Sequence, residues 1–440
     1  MDESKAADLA RRIAGALQAA GYQAYYVGGC VRDLLLNRAP KDYDVATDAT
    51  PDRVSELFPN ARRVGAHFGV VLVSEGDAQV EVATFRSDHA YEDGRRPGRV
   101  KFETDPREDV VRRDFTINAL LMEPSTGEVL DFVGGRRDLE QGVIRAIGDP
   151  ERRFSEDHLR MLRAVRFAAR FGFDIEAETF SAIQRLHALI RRVSAERVRD
   201  ELTRILVEGG ARRGFELLDQ SGLLNDVLPE VAAMKGVEQP PEFHPEGDVW
   251  THTLLMLEGL DHPTATLAWG VLLHDVGKPG AFRVGPDRIR FDGHVELGVK
   301  LAKNIMRRLR FSNSDCEQVI ALIANHMRFK DAPSMKESTI KRFLRMDRFR
   351  EHLELHRLDC LNSNGHLETY EMMRAKLNET PPEELKPARL LTGRDLIAAG
   401  YAPGPRFKEM LQAVEDAQLE GMVHTREEAL ALVRRRFGAA

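Results

Sequence analysis

VGGCVRDLLLNRAPKDYDVAT (27–47) sets a double glycine thirteen residues ahead of two aspartates, Asp42 and Asp44, that are separated by one residue. In an extended strand successive side chains point to opposite faces, so Asp42 and Asp44 project from the same one, with Cα atoms about 6–7 Å apart. That spacing lets two carboxylates share hard cations, and Mg²⁺ is usually bound by one or two carboxylates plus substrate phosphates. Asp-x-Asp alone also describes a solvated turn, so the upstream residues decide. Gly28-Gly29 followed by Val31-Arg32-Asp33 predicts a strand, a tight glycine turn and a helix start. Glycine permits close backbone approach, and amides at a helix start are donors to phosphate. Arg32 adds a charge-assisted contact to the same phosphates. Phosphate donors and metal ligands within one short run point to a nucleotide–metal site.

Outward from this run, the 440-residue chain exceeds one ordinary core and predicts about three domains. Hydrophobic residues at 42% with charged residues at 30% describe a globular, water-soluble protein. No apolar run reaches the ~18–20 residues that span a bilayer. Met1–Leu17 mixes apolar and charged residues and reads as an amphipathic helix, not a signal-peptide core. Cys30, Cys316 and Cys360 are far apart and form no CxxC pair, which argues against a disulfide framework or structural zinc and predicts the cytoplasm. Net charge is −6, but phosphate binding needs only a local basic field. Arginines cluster at Arg95/Arg96/Arg99, Arg112/Arg113, Arg136/Arg137, Arg152/Arg153 and then Arg160, Arg163, Arg166 and Arg170. The first half is therefore the half expected to take an anionic ligand. Oligomeric state leaves no readable signal.

Short β-like runs (24–28, 69–74, 79–85, 127–134) alternate with helical pieces over residues 22–135, and from about 150 the pattern is helical nearly to the end. The class expected is α+β: an α/β head at 1–140, a helical neck at 141–235, a histidine-rich helical body at 236–378 and a helical tail at 379–440. The Pro-rich stretches VEQPPEFHPEGD (237–248) and ETPPEELKP (379–387) mark the breaks, and polar Ser87–Pro106 reads as a mobile loop. FSEDHLRMLRAVRFAARFGF (154–173) reads as one helix with Ser155 as N-cap and Gly172 as its stop.

Two arginine clusters extend the anionic site. In RRDFTINAL (112–120), Arg113 can pair bidentately with a triphosphate, with Asp114 positioning it or a ribose, ahead of a helix-like TINAL. On a helix Asp157, Arg160 and Arg163 advance by about 300° per step and share one side, while Arg166 has rotated away. A carboxylate beside a guanidinium offers paired acceptors and donors that can read a base edge. Glu81, alternating with Val80 and Val82, is a candidate third carboxylate. A second constellation, His252, His274-Asp275, His294, His326 and Asp359, runs through the later helices. Neighbouring imidazole and carboxylate ligands suit one or two divalent metals.

VGGCVRDLLL…KDYD, RRDFTINAL, DFVGGRRDL (131–139), EDHLRMLRAVRF and AERVRDEL (195–202) resemble, in order and spacing over roughly residues 22–230, the motifs of class II tRNA nucleotidyltransferases. That superfamily also holds bacterial poly(A) polymerases. The resemblance implies template-independent addition of CCA to the 3′ end of tRNA from CTP and ATP, with Mg²⁺ on Asp42 and Asp44. It further implies that Gly29, Arg32 and Arg113 hold the triphosphate, and that Asp157 and Arg160, assisted by Arg163 and Arg166, pair with the incoming base. Tyr91, Asp93, Arg95 and Arg96 resemble the element linked in this family to the switch from C to A addition. VWTHTLLML, LLHDVGK, FDGHVELG, IANHM and LHRLDCL resemble, in order, an HD-family phosphohydrolase. That likeness implies divalent-metal ligands at His252, His274, Asp275 and Asp359, with His294 and His326 near a second metal. Lys278 is a candidate phosphate contact or a helix-end cation. LLTGRDLIAAGYAPGPRFKEMLQAVEDAQLEG (390–421) resembles the tRNA-contacting tail. The alternatives are a metal-dependent phosphohydrolase of RNA ends or cyclic nucleotides and, within the transferases, an A-adding enzyme or a poly(A) polymerase.

Overall fold

α1 (Glu3–Ala19) buries Ala6, Leu9, Ala10, Ile13, Ala14 and Leu17, the one-sided helical spacing that the mixed N-terminal segment predicted. It lies in a computed structural model that describes residues 3–64, 69–91, 97–242, 244–286 and 288–438. The chain divides into two units, Met1–Ala232 with Arg308–Arg310, and Ala233–Arg307 with Phe311–Ala440.

In the first unit, α1 covers a mixed sheet. Its elements follow as β1 (Ala24–Val27), α2 (Gly29–Leu35), β2 (Asp44–Thr47), α3 (Pro51–Leu57), β3 (Ala61–Arg63), β4 (Val70–Glu75) and β5 (Ala78–Thr84). A hairpin of β6 (Arg86–Tyr91) and β7 (Pro97–Phe102), α4 (Pro106–Val111), β8 (Leu121–Met122) and β9 (Val129–Leu130) complete the head. The seven-stranded order is β3-β4-β5-β2-β1-β8-β9, with β2 and β5 parallel and the other pairs antiparallel. β5 alternates buried Ala78, Val80, Val82 and Thr84 with exposed Gln79 and Glu81, as a half-solvated strand should. Val27, Ala46, Phe85, Val110, Ala119, Leu121 and Ile147 form the core beneath the sheet.

Three local expectations need correction. Ser87–Pro106 contains the β6–β7 ladder, with Arg86 opposite Phe102 and Ser87 opposite Lys101, because cross-strand pairing satisfies a polar backbone that composition alone assigned to a loop. Tyr91 ends β6; Asp93, Arg95 and Arg96 lie outside the described residues. TINAL forms a single 3₁₀ turn, Thr116–Asn118, before the short β8. The stretch 154–173 is two helices, not one. α5 (Gly135–Gln141) is followed by α6 (Pro150–Glu156), which starts at an Asp149 cap with Pro150 in its first position, so Ser155 lies inside it. Asp157 is extended (φ −144°, ψ 106°), and α7 (Arg160–Phe171) then ends at Gly172 as expected.

A short parallel pair, Val143–Ile144 with Asp174–Ile175, is followed by helices: α8 (Ala177–Leu186), α9 (Ala195–Val207) and α10 (Ala211–Gln220), whose buried residues include Ile183, Leu202, Ile205 and Phe215. The second unit, described by itself, holds helices at Val249–Glu258, Ala265–Leu273, His294–Arg308, Asn313–Asn325, Glu337–Leu344, Phe349–Leu361 and Glu368–Glu379. One core gathers Phe329, Phe343, Phe349, Leu353 and Met373. A separate one gathers Leu391, Leu396, Tyr401, Met410, Val414, Ala429 and Val433 in the tail, where Arg406–Leu419 starts directly after Gly404-Pro405. No helix among the described residues is long and apolar enough to cross a membrane.

Candidate active site and metal centre

Asp44 opens β2, and its Cα partner across the parallel pair is Glu81 of β5, so sheet register sets two carboxylates side by side. Asp42 lies two residues before the strand, exposed, and Asp44 is half-buried. Burial first, then Glu81 and Asp42, push the Asp44 carboxyl up to about 6 against the opposing pull of Arg113. Three carboxylates repelling one another in one place form the donor set of a hard divalent cation, so these residues fit a metal. Glu81 thus joins the pair.

Between Asp44 and Arg113 stands Gly28, with φ 76° and ψ −131°. A Cβ there would sit 3.4 Å from Arg113 Nη1 and 3.8 Å from Asp44 Oδ2, in a conformation that L side chains rarely adopt. The glycine therefore keeps open a cleft with acidic and basic walls. Gly29 begins α2 as predicted. Arg113 is gripped by Asp109, which accepts from Nε and Nη2 at 3.2 and 2.8 Å. Burial works against the Arg113 charge, but Asp109, Asp44 and Asp114 outweigh it. Asp109, missed in the sequence, could have been found from its i,i+4 spacing to Arg113.

Arg32 turns inward. It donates to Asp33 at 2.7 and 2.8 Å and to Asn118 Oδ1 at 2.6 Å, and its guanidinium lies 4.7 Å from the Phe171 ring centre. Asn118 also donates to Asp114 Oδ1, and Asp114 Oδ2 accepts from Arg163 at 2.8 Å. Burial opposes the Asp114 charge, yet Arg163 and Arg160 hold its carboxyl at about 2. Asp114 is therefore paired with Arg163, not with the neighbouring Arg113.

The break at Asp157 removes it from the helical arc drawn for Arg160 and Arg163. Asp157 Oδ1 accepts from the Leu159 amide at 3.1 Å and Oδ2 from Arg197 of α9 at 2.8 Å. Arg160 donates to Glu156 Oε2 and to the carbonyls of Arg153 and Arg112 at 3.0–3.1 Å. Arg166 is buried on the other side of α7, bonded to Glu201 at 2.6 Å and Glu208 at 3.2 Å, which agrees with its rotation on the wheel.

In the second unit the histidines converge. His274, His294 and His326 each set Nδ1 against a carbonyl three residues back, Val271, Phe291 and Ile323, at 2.8, 2.8 and 2.7 Å. A carbonyl only accepts, so Nδ1 carries a proton and Nε2 is the nitrogen left to face an ion. Nε2 of His252, His274, His294 and His326 is buried without a hydrogen-bond partner. Around Asp275 these atoms lie at 3.2 Å for His274 and 3.8 Å for His294 and His326, while His252 Nε2 is 3.2 Å from Asp359 Oδ1. Buried lone pairs aimed at carboxylates fit one or two divalent ions, and His252-His274-Asp275 and Asp275-His294-His326 are each close enough to share one. Burial pushes His326 down to about 4, so it is neutral at pH 7. Burial opposes the Asp275 charge, but His274 and Lys278 hold its carboxyl well below the usual range.

Gly277 allows the convergence. A Cβ there would fall 2.0 Å from the His294 carbonyl oxygen and 2.6 Å from the Gly298 nitrogen, so only glycine lets the His274-Asp275 turn reach that helix. Lys278 is buried, with Nζ 2.6 Å from both Asp275 Oδ2 and Gln239 Oε1. Gln239 and Glu246, the latter 2.6 Å from His252 Nδ1, come from the Pro-rich stretch that the sequence presented only as a break.

Family profiles match in three blocks: "Poly A polymerase head domain" over 24–145, "Probable RNA and SrmB- binding site of polymerase A" over 172–235 and "HD domain" over 248–364. The CCA-adding enzyme of Enterococcus faecalis is 32% identical over 419 residues, 94% of this chain and 92% of that protein. That of Lactobacillus helveticus is 41% identical over 247 residues, 55% of this chain and 61% of the relative's length. The crystal structure of the Bacillus stearothermophilus CCA-adding enzyme in complex with CTP superposes with a TM-score of 0.77 at 27% identity, over 99% of this chain and 98% of that one. With a matching head profile and a relative aligned over nearly its whole length, the chain belongs to the CCA-adding tRNA nucleotidyltransferase family.

Proposed function

We propose that the head adds C, C and A in turn to the 3′ end of tRNA, taking CTP and ATP and releasing pyrophosphate. The observation that carries this is the Asp44–Glu81 pairing, with Asp42 beside it and Arg113 across the Gly28 cleft. Asp42, Asp44 and Glu81 would hold Mg²⁺, which when bound offsets triphosphate charge and favours the ionised 3′-hydroxyl. The terminal 3′-oxygen attacks the α-phosphorus, the bond to the bridging oxygen breaks, and pyrophosphate leaves with that electron pair. Gly29 and Arg113 hold the triphosphate. Arg32 serves the same ligand by tying the α2 start to Asn118 and Phe171. Asp157 and Arg160 read the base edge, Arg163 fixes Asp114, and Arg166 braces α7 from behind.

The domain limits follow as 1–140, 141–235, 236–378 and 379–440, with tRNA also meeting the tail at the Pro403–Pro405 turn. Three free cysteines support a cytoplasmic setting. A second reading concerns the histidine centre: four buried Nε2 atoms that make no hydrogen bond and face Asp275 or Asp359 support metal-dependent phosphohydrolysis there.

The test is to incubate tRNAs lacking CCA, CA or the final A with CTP and ATP, separately and together. Stepwise completion is expected, with CTP alone stopping after CC. Failure to add any C would mark an A-adding enzyme, and long A tracts a polymerase.

A further inference from the structure

Three of the four converging histidines are oriented by backbone. His274 and His326 cap the C-terminal ends of helices, where the last carbonyls have no helical partner and can accept from Nδ1, and His294 starts a helix, its Nδ1 meeting the Phe291 carbonyl of the preceding turn. His252 differs, since it lies inside Val249–Glu258, where the carbonyl four residues behind each position is already taken by the helix. Its Nδ1 instead meets Glu246 Oε1 at 2.6 Å, with the Asn362 carbonyl farther off at 3.1 Å.

We infer that Glu246 is a positioning residue of the histidine metal centre, fixing His252 as the Nδ1–H tautomer with Nε2 directed at the ion; this rests on the metal-centre reading above. The same Oε1 takes His244 Nδ1 at 2.9 Å, and the His244 ring stands edge-on to His252 at 5.0 Å. Glu246 is thus held from one side while it holds His252 from the other. Its side chain is 10% exposed, where a carboxylate without such partners would be costly. A carboxylate on the far nitrogen of a metal-binding imidazole also raises that ligand's basicity, and losing it typically weakens metal binding about 10–100-fold. Gln239, eight residues from the Gly247 carbonyl that its amide meets at 3.5 Å, braces Lys278 from the same segment. Gln239 and Glu246 therefore work as two ends of a strap that completes the centre.

The experiment uses the full chain carrying Asp42→Ala and Asp44→Ala, so that Mn²⁺ titrated calorimetrically reports the histidine centre. Glu246→Ala should weaken Mn²⁺ about 10–100-fold. Glu246→Gln, whose amide oxygen still accepts from Nδ1, should fall between it and the parent. In ¹⁵N imidazole spectra of the Zn²⁺-loaded chain, where the ion takes the place of the Nε2 proton, His252 should lose its single Nδ1–H tautomer in E246A while His274, His294 and His326 keep theirs. Parent-like Mn²⁺ affinity in E246A, or an unchanged His252 tautomer, would overturn the assignment. A parent that takes up no Mn²⁺ would instead defeat the metal-centre reading itself.

Discussion

The head and the histidine body each gather acidic residues where cations fit, yet they do so by opposite means. In the head, Asp42, Asp44 and Glu81 gather at two central strands, and burial together with their mutual repulsion pushes Asp44 up to about 6. On the proposed reading, positive charge and a triphosphate complete the site. In the body the donors are imidazoles whose Nδ1 atoms are held by carbonyls or by Glu246, with buried Nε2 atoms around an Asp275 already matched by Lys278. The first arrangement suits a substrate that brings its own charge and leaves with part of it. The second suits an ion that stays.

Separating the two by mutation gives the largest effects. Asp44→Ala should lower nucleotide incorporation by at least about a thousandfold, measured on tRNA lacking CCA, and leave body-bound metal unchanged. Incorporation that survived would move the head chemistry elsewhere. Conversely, His274→Ala should abolish hydrolysis of a 2′-nucleotide and a cyclic nucleotide while CCA addition continues at the parent rate. Loss of both activities together would break the comparison.

Smaller effects probe the supports. Asp114 is held at about 2 by Arg163 and Arg160 despite burial, against an ordinary 3.8, so its contribution is complete above pH 3.8 and lost as pH falls toward 2. Asp114→Asn should cost about 2 kcal/mol in urea unfolding at pH 7, with the difference from the parent shrinking between pH 4 and 2. A constant difference across that range would show that charge pairing is not the source. Gly28→Ala places a Cβ in a left-handed conformation, a strain of about 1–2 kcal/mol, beside Arg113. It should raise the KM for CTP severalfold with little change in metal affinity of the body, as steady-state kinetics and calorimetry would show.

The α+β class, the glycine turn and the Asp pair were legible because each rests on local chemistry: a period of two, a φ only glycine favours, a fixed i,i+2 spacing. What stayed hidden depended on distance in the chain. Asp44 and Glu81 meet through strand pairing across 37 positions, which no local pattern announces. Asp157 reads as helical by periodicity, but Asp149-Pro150 starts α6 early and Arg197 from α9 holds Asp157 extended. Asn118, which ties Arg32 to Asp114, carries no sequence signal at all. Glu246 sat within a segment whose prolines spoke only of a break.

Gly277 carries a consequence for how the body's imidazoles converge. The contact at His294 and Gly298 leaves no room for even one methyl group, so the separation between the His274-Asp275 turn and the His294 helix is set by the bare backbone. His294 and His326 belong to the set that shares Asp275 only while that separation holds. Alanine at 277 would keep every one of these side chains and still drive the His294 helix outward, away from Asp275. A residue without a functional group thereby sets how many imidazoles reach Asp275.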